Sequence, residues 1–262
     1  MAKRHNGRFL LRIEDIDLAR SKPEYEQQIY DDLAWLGLSW EQPVRRQSEH
    51  FSDYHKALDQ LIEIGLVYPS FASRSEIKTE ALKEGTSRDP DGQFLYPEAC
   101  KAIDHKKAAQ PGALNTPHAW RLDMKRAIAK AKEISPETYS FTELGAGPNN
   151  ETGLLALTPD IWGDVVIARK DVPTSYHLSV VVDDALQNIT HVTRGQDLFY
   201  ATHVHRLLQI LLNLPQPVYH HHNLIRDETG RRLAKSTKDQ SLTALRNQGL
   251  SPQDIYKLIG LA

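Results

Sequence analysis

The stretch GRFLLRIEDIDLAR, residues 7–20, indicates the fold class. Its apolar part, RFLLRI, predicts a buried strand. Three carboxylates, Glu14, Asp15 and Asp17, follow within four positions. A parallel strand of an α/β sheet is apolar because both of its faces are covered, and ligands bind beyond the carboxyl ends of such strands. The acids therefore stand where a ligand with an ammonium group would bind, unless they form only a solvated strand end and the start of a helix.

Two amphipathic helices are predicted to follow this strand. In the first, Ser21 is a candidate N-cap, Pro23 lies in the first turn and Gly37 is the expected stop. The second begins near Ser48 and ends near Gly65, with its apolar residues on one face. A strand followed by helices is typical of an α/β unit.

The sequence changes character between residues 70 and 160, where most of the turn-forming segments lie. We interpret this part as an insertion with a small β-rich or mixed structure of its own. Apolar runs typical of α/β structure return afterwards, and a helix, a strand and a C-terminal helical tail follow. These segments are residues 163–170, 178–186 and 189–195, the helix at 201–213 and the strand at 218–225. The predicted domains are 1–69 and 161–262, which form one core in two parts, and 70–160, the insertion.

Composition excludes several classes of protein. The chain has 262 residues and a net charge of -2, so nothing in its overall charge indicates nucleic-acid binding, although basic groups could line one face. Cys100 is the only cysteine, which excludes an internal disulfide. No apolar run reaches the length of a membrane span, and no apolar segment follows the basic start as in a signal peptide. We expect a cytoplasmic protein that does not enter membranes.

A second polar segment is DETGRRLAKSTKD, residues 227–239. Cations and hydroxyl groups after a tight turn suit a polyphosphate, whose charge they neutralise. A solvated basic loop would have the same composition. The segment does not contain the GxxxxGK[ST] pattern of a P-loop.

Two further groups of residues stand near predicted strands. Tyr176 opens a β-branched run, and Arg194 closes the strand after it, where an arginine can bind a carboxylate bidentately. Arg194 could instead form a structural pair with Asp184 or Asp197. The run of histidines at 220–222 alternates between the two faces of a strand, so it predicts packing or hydrogen bonding rather than a shared metal.

In this order, RIEDID, LAWLGLSWE, SYHLSVVVDD, ITHVTRGQDL and GRRLAKS resemble the catalytic core of class I glutamyl-tRNA synthetases. The likeness covers most of the chain and is weakest at 75–160. It is closest to the short branch of that family, the glutamyl-Q tRNA(Asp) synthetases, because only 26 residues follow Ser236 and leave no room for a helical anticodon-binding domain. The resemblance implies an α/β fold, a Rossmann-like class I aminoacyl-tRNA synthetase catalytic core with an inserted smaller domain.

The resemblance also implies an activity and its site. L-glutamate would be activated with ATP, usually with Mg²⁺, and then transferred to the queuosine base of tRNA(Asp). Glu14 would hold the α-amino group, Tyr176 would contact the amino acid and Arg194 would bind a carboxylate. RLAKS would correspond to the family's KMSKS loop and bind ATP, with Lys235 as the catalytic residue on the phosphates. The ATP-binding residues by this likeness are Arg232, Lys235 and Ser236. The insertion would contact the RNA, and the protein would be a monomer.

The sequence departs from the family pattern in two places. It contains no HIGH-type motif, which predicts that the first strand-helix unit is lacking and that Met1 is an internal methionine of a longer protein. Where the short branch often has zinc-binding cysteines, this chain has Ser70 and Ala72, and only Tyr96 and Cys100 remain. One thiolate and one phenol do not make a tetrahedral zinc site, so we predict no zinc.

Two rival functions stay open at this point. One is a fragment of a ligase that charges tRNA(Glu). The other is a pseudo-synthetase that binds RNA or a partner protein without catalysis, which the missing HIGH-type motif favours. The presence of Glu14, Tyr176, Arg194 and Lys235 argues against a pure binder.

Overall fold

A computed structural model describes residues 1–226, 229 and 241–261. The helices of these residues are α1 (Pro23–Trp35), α2 (Phe51–Glu63), α3 (Arg74–Glu84), α4 (Glu98–Ala108), α5 (Met124–Ile134), α6 (Tyr176–Leu186), α7 (Ala201–Leu211), α8 (Leu242–Asn247) and α9 (Pro252–Leu258). The strands are β1 (Arg12–Ile13), β2 (Arg45–Arg46), β3 (Val67–Ser70), β4 (Ala119–Leu122), β5 (Ser140–Glu143), β6 (Gly153–Ala156), β7 (Val166–Ala168), β8 (His191–Gly195) and β9 (Val218–His222). The chain groups into two compact units, Met1–His50 with Leu224–Ala262, and Phe51–Asn223.

The first unit contains a strand that is shorter than the sequence predicts. β1 pairs in parallel with β2, and the pairing covers only Arg12 and Ile13, because β2 is itself two residues long. Phe9, predicted to be buried, is 39% exposed. The prediction of a buried strand over residues 8–13 is therefore wrong in extent, although Ile13 is buried.

The helices of the first unit follow the sequence signals closely. α1 begins at Pro23 as expected, but its N-cap is Lys22, so the prediction that Ser21 caps it is wrong by one residue. Gly37 follows the helix at a φ of 72°, which is left-handed backbone that glycine adopts without steric cost. The predicted helical tail is confirmed as α8 and α9, and the Tyr256 hydroxyl donates to the Leu36 carbonyl at 2.5 Å.

The second unit carries the α/β core. One sheet has the order β6-β5-β9-β8, in which β8, β9 and β5 run parallel and β6 runs antiparallel. α7 connects β8 to β9, which makes a β-α-β unit of the predicted kind. Every residue of α7 is buried. A second, antiparallel sheet has the order β3-β4-β7.

The largest correction in the second unit concerns residues 178–186. Their β-branched composition predicts a strand, but these residues form most of α6. Ser175 caps this helix by accepting the Leu178 N–H at 3.5 Å. Consecutive residues from Leu178 to Asp184 are buried, so the helix is covered on nearly all sides. The other predicted strand and helix positions match β7, β8, α7 and β9 within a few residues.

The predicted insertion lies within the second unit. Its strand β4 pairs with β3 on one side and β7 on the other, so residues 70–160 share a sheet with the segments that flank them. The division into a core in two parts and an insertion that contacts RNA, with boundaries after residues 69 and 160, stays a prediction. Among the described helices, none combines the length and the apolar character that crossing a bilayer requires.

Candidate active site

Arg194 lies near the carboxyl end of β8 and faces a histidine on the neighbouring strand. In the parallel pairing of β8 with β9, Arg194 and His221 are register partners. Register partners on adjacent strands place their side chains on the same face of a sheet. The Arg194 Nε donates to His221 Nε2 at 3.1 Å. The prediction that Arg194 closes a strand is confirmed.

Helix α7 supplies the other two partners of this guanidinium. Thr202 and His205 are three residues apart and therefore share one helix face. The Arg194 Nη2 donates to Thr202 Oγ1 at 2.7 Å, and Nη1 lies 3.0 Å from His205 Nδ1. Thr202 is fully buried, and His205 is 2% exposed. Within the described residues, the hydrogen-bond partners of Arg194 are thus two imidazoles and a hydroxyl, not the carboxylates considered from the sequence. Its guanidinium also lies 5.4 Å from the centre of the Tyr219 ring.

Glu143, the last residue of β5, fixes the far side of His221. Its Oε1 accepts the backbone N–H groups of His221 and Gly145, both at 2.8 Å. Its Oε2 lies 2.5 Å from His221 Nδ1, and both side chains are fully buried. Gly145 leaves no room for a side chain, because a Cβ there would lie 2.2 Å from the His221 carbonyl oxygen. We call Arg194, His221, Thr202, His205 and Glu143 the Arg194 cluster.

Two histidines near Arg194, His221 and His177, have lowered pKa values, which favours their neutral form. Burial lowers the pKa of His221, and the charge of Arg194 lowers it further, while the hydrogen bond with Glu143 acts in the opposite direction. His177 Nδ1 lies 3.1 Å from His205 Nε2. Burial lowers the pKa of His177 to about 4, and the charge of Arg194 adds to this effect. A guanidinium surrounded by neutral imidazoles keeps its positive charge available for a ligand anion.

Tyr176 joins this site as the first residue of α6. Its ring lies 5.6 Å from the ring of His205 and 5.9 Å from that of His177, in edge-to-face arrangements. Two of the predicted glutamate-binding residues, Tyr176 and Arg194, are therefore brought together, because both contact His205.

Glu14, the third predicted glutamate-binding residue, lies in the first unit directly after β1. Arg12 donates to its Oε1 from Nη2 at 3.3 Å. Asp15 accepts the backbone N–H of Ser48 at 2.9 Å and its hydroxyl at 2.6 Å, which satisfies a donor just before α2. Asp15 thus has a structural role in these contacts, while the role of Glu14 stays a prediction.

The predicted ATP-binding residues Arg232, Lys235 and Ser236 lie outside the described residues. Their role stays a prediction from the sequence.

The positions compared with a zinc site hold a hydrogen-bonded cluster. The hydroxyl groups of Ser70 and Tyr96 are 2.8 Å apart, and Tyr96 donates to Asp104 Oδ2 at 2.5 Å. Asp104 also accepts the Phe71 N–H at 2.9 Å, and the Arg121 guanidinium stacks on the Tyr96 ring at 3.8 Å. Two hydroxyls and a carboxylate bonded to one another do not fit a structural zinc site.

The run of three histidines alternates as predicted. On β9, His221 is buried and hydrogen-bonded, while His222 is exposed. In the part of the chain that the structure describes, no group of three or more His, Cys, Asp or Glu side chains could hold a metal ion.

Sequence reasoning missed Glu143, Thr202 and His205 as members of the site. The T-x-x-H spacing on a predicted helix places two polar side chains on one face, and this signal could have indicated Thr202 and His205. Glu143 gives no such local signal, because its contacts join residues that are 78 positions apart.

Comparison with known proteins gives one consistent result. Residues 1–262 match the family "tRNA synthetases class I (E and Q), catalytic domain". A glutamyl-Q tRNA(Asp) synthetase of Rhodobacter capsulatus is 48% identical over all of this chain and 91% of its own length. A glutamate–tRNA ligase of Aquifex aeolicus is 34% identical over 99% of this chain, which spans about half (51%) of that ligase. A glutamate tRNA ligase from Elizabethkingia meningosepticum, whose crystal structure was solved in complex with its amino acid, has 24% sequence identity with this chain. It superposes with a TM-score of 0.63 over 91% of this chain and 47% of its own, and supports the fold alone.

Proposed function

Because the chain belongs to the catalytic-domain family of class I glutamate and glutamine tRNA synthetases, we propose that it glutamylates the queuosine base of tRNA(Asp). The observation that carries this proposal is the 48% identity with a glutamyl-Q tRNA(Asp) synthetase over the whole chain. Membership of the family implies the use of ATP.

In the proposed first step, a carboxylate oxygen of L-glutamate attacks the α-phosphorus of ATP. A bond forms between that oxygen and phosphorus, the bond to the bridging oxygen of the β-phosphate breaks, and pyrophosphate leaves with the electron pair. No protein nucleophile is needed, so catalysis consists of positioning and of stabilising charge. The adenylate then passes its glutamyl group to the queuosine of tRNA(Asp), and AMP leaves.

The residue roles in this proposal follow the family likeness and the contacts of Arg194. Arg194 binds a glutamate carboxylate, Tyr176 borders the amino acid, and Glu14 holds the α-ammonium group. Lys235, with Arg232 and Ser236, neutralises the ATP phosphates, and Mg²⁺ accompanies the nucleotide. Residues 70–160 contact the RNA, and the protein acts as a monomer without zinc.

A second candidate is charging of tRNA(Glu), which the likeness to the Aquifex aeolicus ligase favours. A third candidate is RNA binding without catalysis, which the transfer test below separates from the first two. The first two share the activation step and differ in the acceptor.

The test is transfer of radiolabelled L-glutamate to three RNAs: tRNA(Asp) with queuosine, tRNA(Asp) without queuosine, and tRNA(Glu). The proposal predicts label on the first RNA only. Label on tRNA(Glu) would favour the second candidate. Binding of an RNA without transfer of label, by a chain that is shown to be folded, would favour the third.

A further inference from the structure

The hydrogen bonds around Arg194 have a fixed donor and a fixed acceptor. A guanidinium carries five N–H donors and no acceptor. His221 Nε2 and His205 Nδ1, which Arg194 approaches at 3.1 and 3.0 Å, must therefore both be unprotonated acceptors.

The second nitrogen of each imidazole then carries the proton. In His221 this is Nδ1, which faces the Glu143 carboxylate at 2.5 Å. In His205 it is Nε2, which faces His177 Nδ1 at 3.1 Å. The two histidines are thus opposite tautomers, and each is fixed by the group behind it.

These contacts also determine which donors of Arg194 remain for a ligand. Nε is occupied by His221, one N–H of Nη2 by Thr202 and one N–H of Nη1 by His205. One N–H remains on each terminal nitrogen. Two N–H groups on the two terminal nitrogens match the two oxygens of one carboxylate.

We propose that Thr202, His205 and His221 are positioning residues: they hold the Arg194 guanidinium in one orientation and leave a two-donor fork for the carboxylate of the amino-acid substrate. The part of this proposal that names the ligand rests on the proposed function. The part that states which nitrogen of His205 and of His221 carries the proton does not rest on the proposed function.

Thr202 offers the cleanest test, because one pair of variants separates shape from hydrogen bonding. Thr202→Val keeps the branched shape and removes the acceptor for Nη2, whereas Thr202→Ser keeps the acceptor. In glutamate-dependent ATP–pyrophosphate exchange, Thr202→Val should raise KM for L-glutamate about tenfold and leave KM for ATP within about twofold of wild type. Thr202→Ser should restore KM for L-glutamate to within about threefold of wild type. Equal changes in both KM values, or equal effects of Val and Ser, would overturn the positioning role.

Two direct measurements keep the test decisive if a variant fails to fold. Long-range ¹H–¹⁵N NMR of ¹⁵N-histidine-labelled wild-type protein should show the proton of His221 on Nδ1 and that of His205 on Nε2. The opposite tautomer at either residue would overturn this assignment of the protons. Calorimetric titration of the wild type with L-glutamate tests the ligand separately: heat of binding supports the fork, and no binding overturns the choice of ligand and the proposed function while the NMR result stands by itself.

Discussion

The Glu143 carboxylate offers the sharpest perturbation of the Arg194 cluster. In Glu143→Gln, the amide oxygen can take the place of Oε1 and still accept both backbone N–H groups, those of His221 and Gly145. The amide NH₂ then takes the place of Oε2 and faces His221 Nδ1, where the wild type has a charge-assisted contact at 2.5 Å. His221 must move its proton to Nε2, and that proton meets the N–H of Arg194.

The expected cost follows from the contacts that are lost. A hydrogen bond to a buried charged group contributes about 1.5–3 kcal/mol, and a buried donor left without an acceptor costs about 1–3 kcal/mol. The effects overlap within one network, so we expect Glu143→Gln to lower the free energy of unfolding by about 3 kcal/mol. KM for L-glutamate should also rise, because Arg194 loses one of its supports.

The assay is urea denaturation at neutral pH, followed by circular dichroism. Glu151→Gln is a matched control, since Glu151 accepts the backbone N–H of Asn149 at 2.7 Å and its side-chain amide at 3.0 Å. Its charge acts on His203, but these hydrogen bonds involve no histidine. The control should lose less than about 1 kcal/mol. If Glu143→Gln lowers the free energy of unfolding no more than Glu151→Gln does, the Glu143 carboxylate does not determine which nitrogen of His221 carries the proton.

Three further predictions test other parts of the second unit. Gly145→Ala should lower the free energy of unfolding by at least about 2 kcal/mol, because its Cβ would meet the His221 carbonyl oxygen. The control Gly7→Ala, whose Cβ would have its nearest contact at 3.6 Å, should lower it by less than about 1 kcal/mol. Equal urea midpoints for the two variants would contradict this. Burial lowers the pKa of His203 from 6.5 to about 4, so its contribution to stability is present above pH 6.5 and is lost as the pH falls towards 4. At about pH 5 this loss is about 2 kcal/mol, and His203→Asn should remove it from the pH dependence of unfolding, so an unchanged pH profile would refute the assignment. Tyr96→Phe should lower the free energy of unfolding by about 1–2 kcal/mol, because it removes the hydroxyl that contacts Ser70 and Asp104. EDTA should leave the Tm of the wild type unchanged, and a Tm lowered by EDTA would indicate a bound metal.

Local sequence signals account for much of the fold. Gly37 and Gly65 mark the ends of α1 and α2, and both have left-handed backbone. The amphipathic pattern of residues 51–63 matches α2, whose buried face includes Tyr54, Leu58 and Leu61. These signals succeed because each depends on neighbours within one or two helical turns.

Errors in the fold prediction arise where the surroundings override local pattern. The run 178–186 has the composition of a strand, yet burial on nearly all sides lets a β-branched segment form helix α6. RFLLRI has the composition of a buried strand, but only two of its residues have a paired partner. Neither outcome depends on information within the segment itself.

The candidate site divides in the same way. Arg194 and Tyr176 could be chosen from the family likeness, and the structure brings both to His205. The groups that hold Arg194 come from β5, α7 and β9, and their proximity results from sheet register and helix packing. No spacing in the sequence records that Glu143 and His221 meet.

ATP–pyrophosphate exchange without tRNA measures the proposed activation of glutamate separately from transfer to RNA. We expect exchange that depends on L-glutamate and that falls strongly in Arg194→Lys, since an ammonium cannot reproduce the three fixed contacts of the guanidinium. If the chain is folded by circular dichroism but its exchange does not depend on L-glutamate, it does not activate glutamate, and a binding function is favoured.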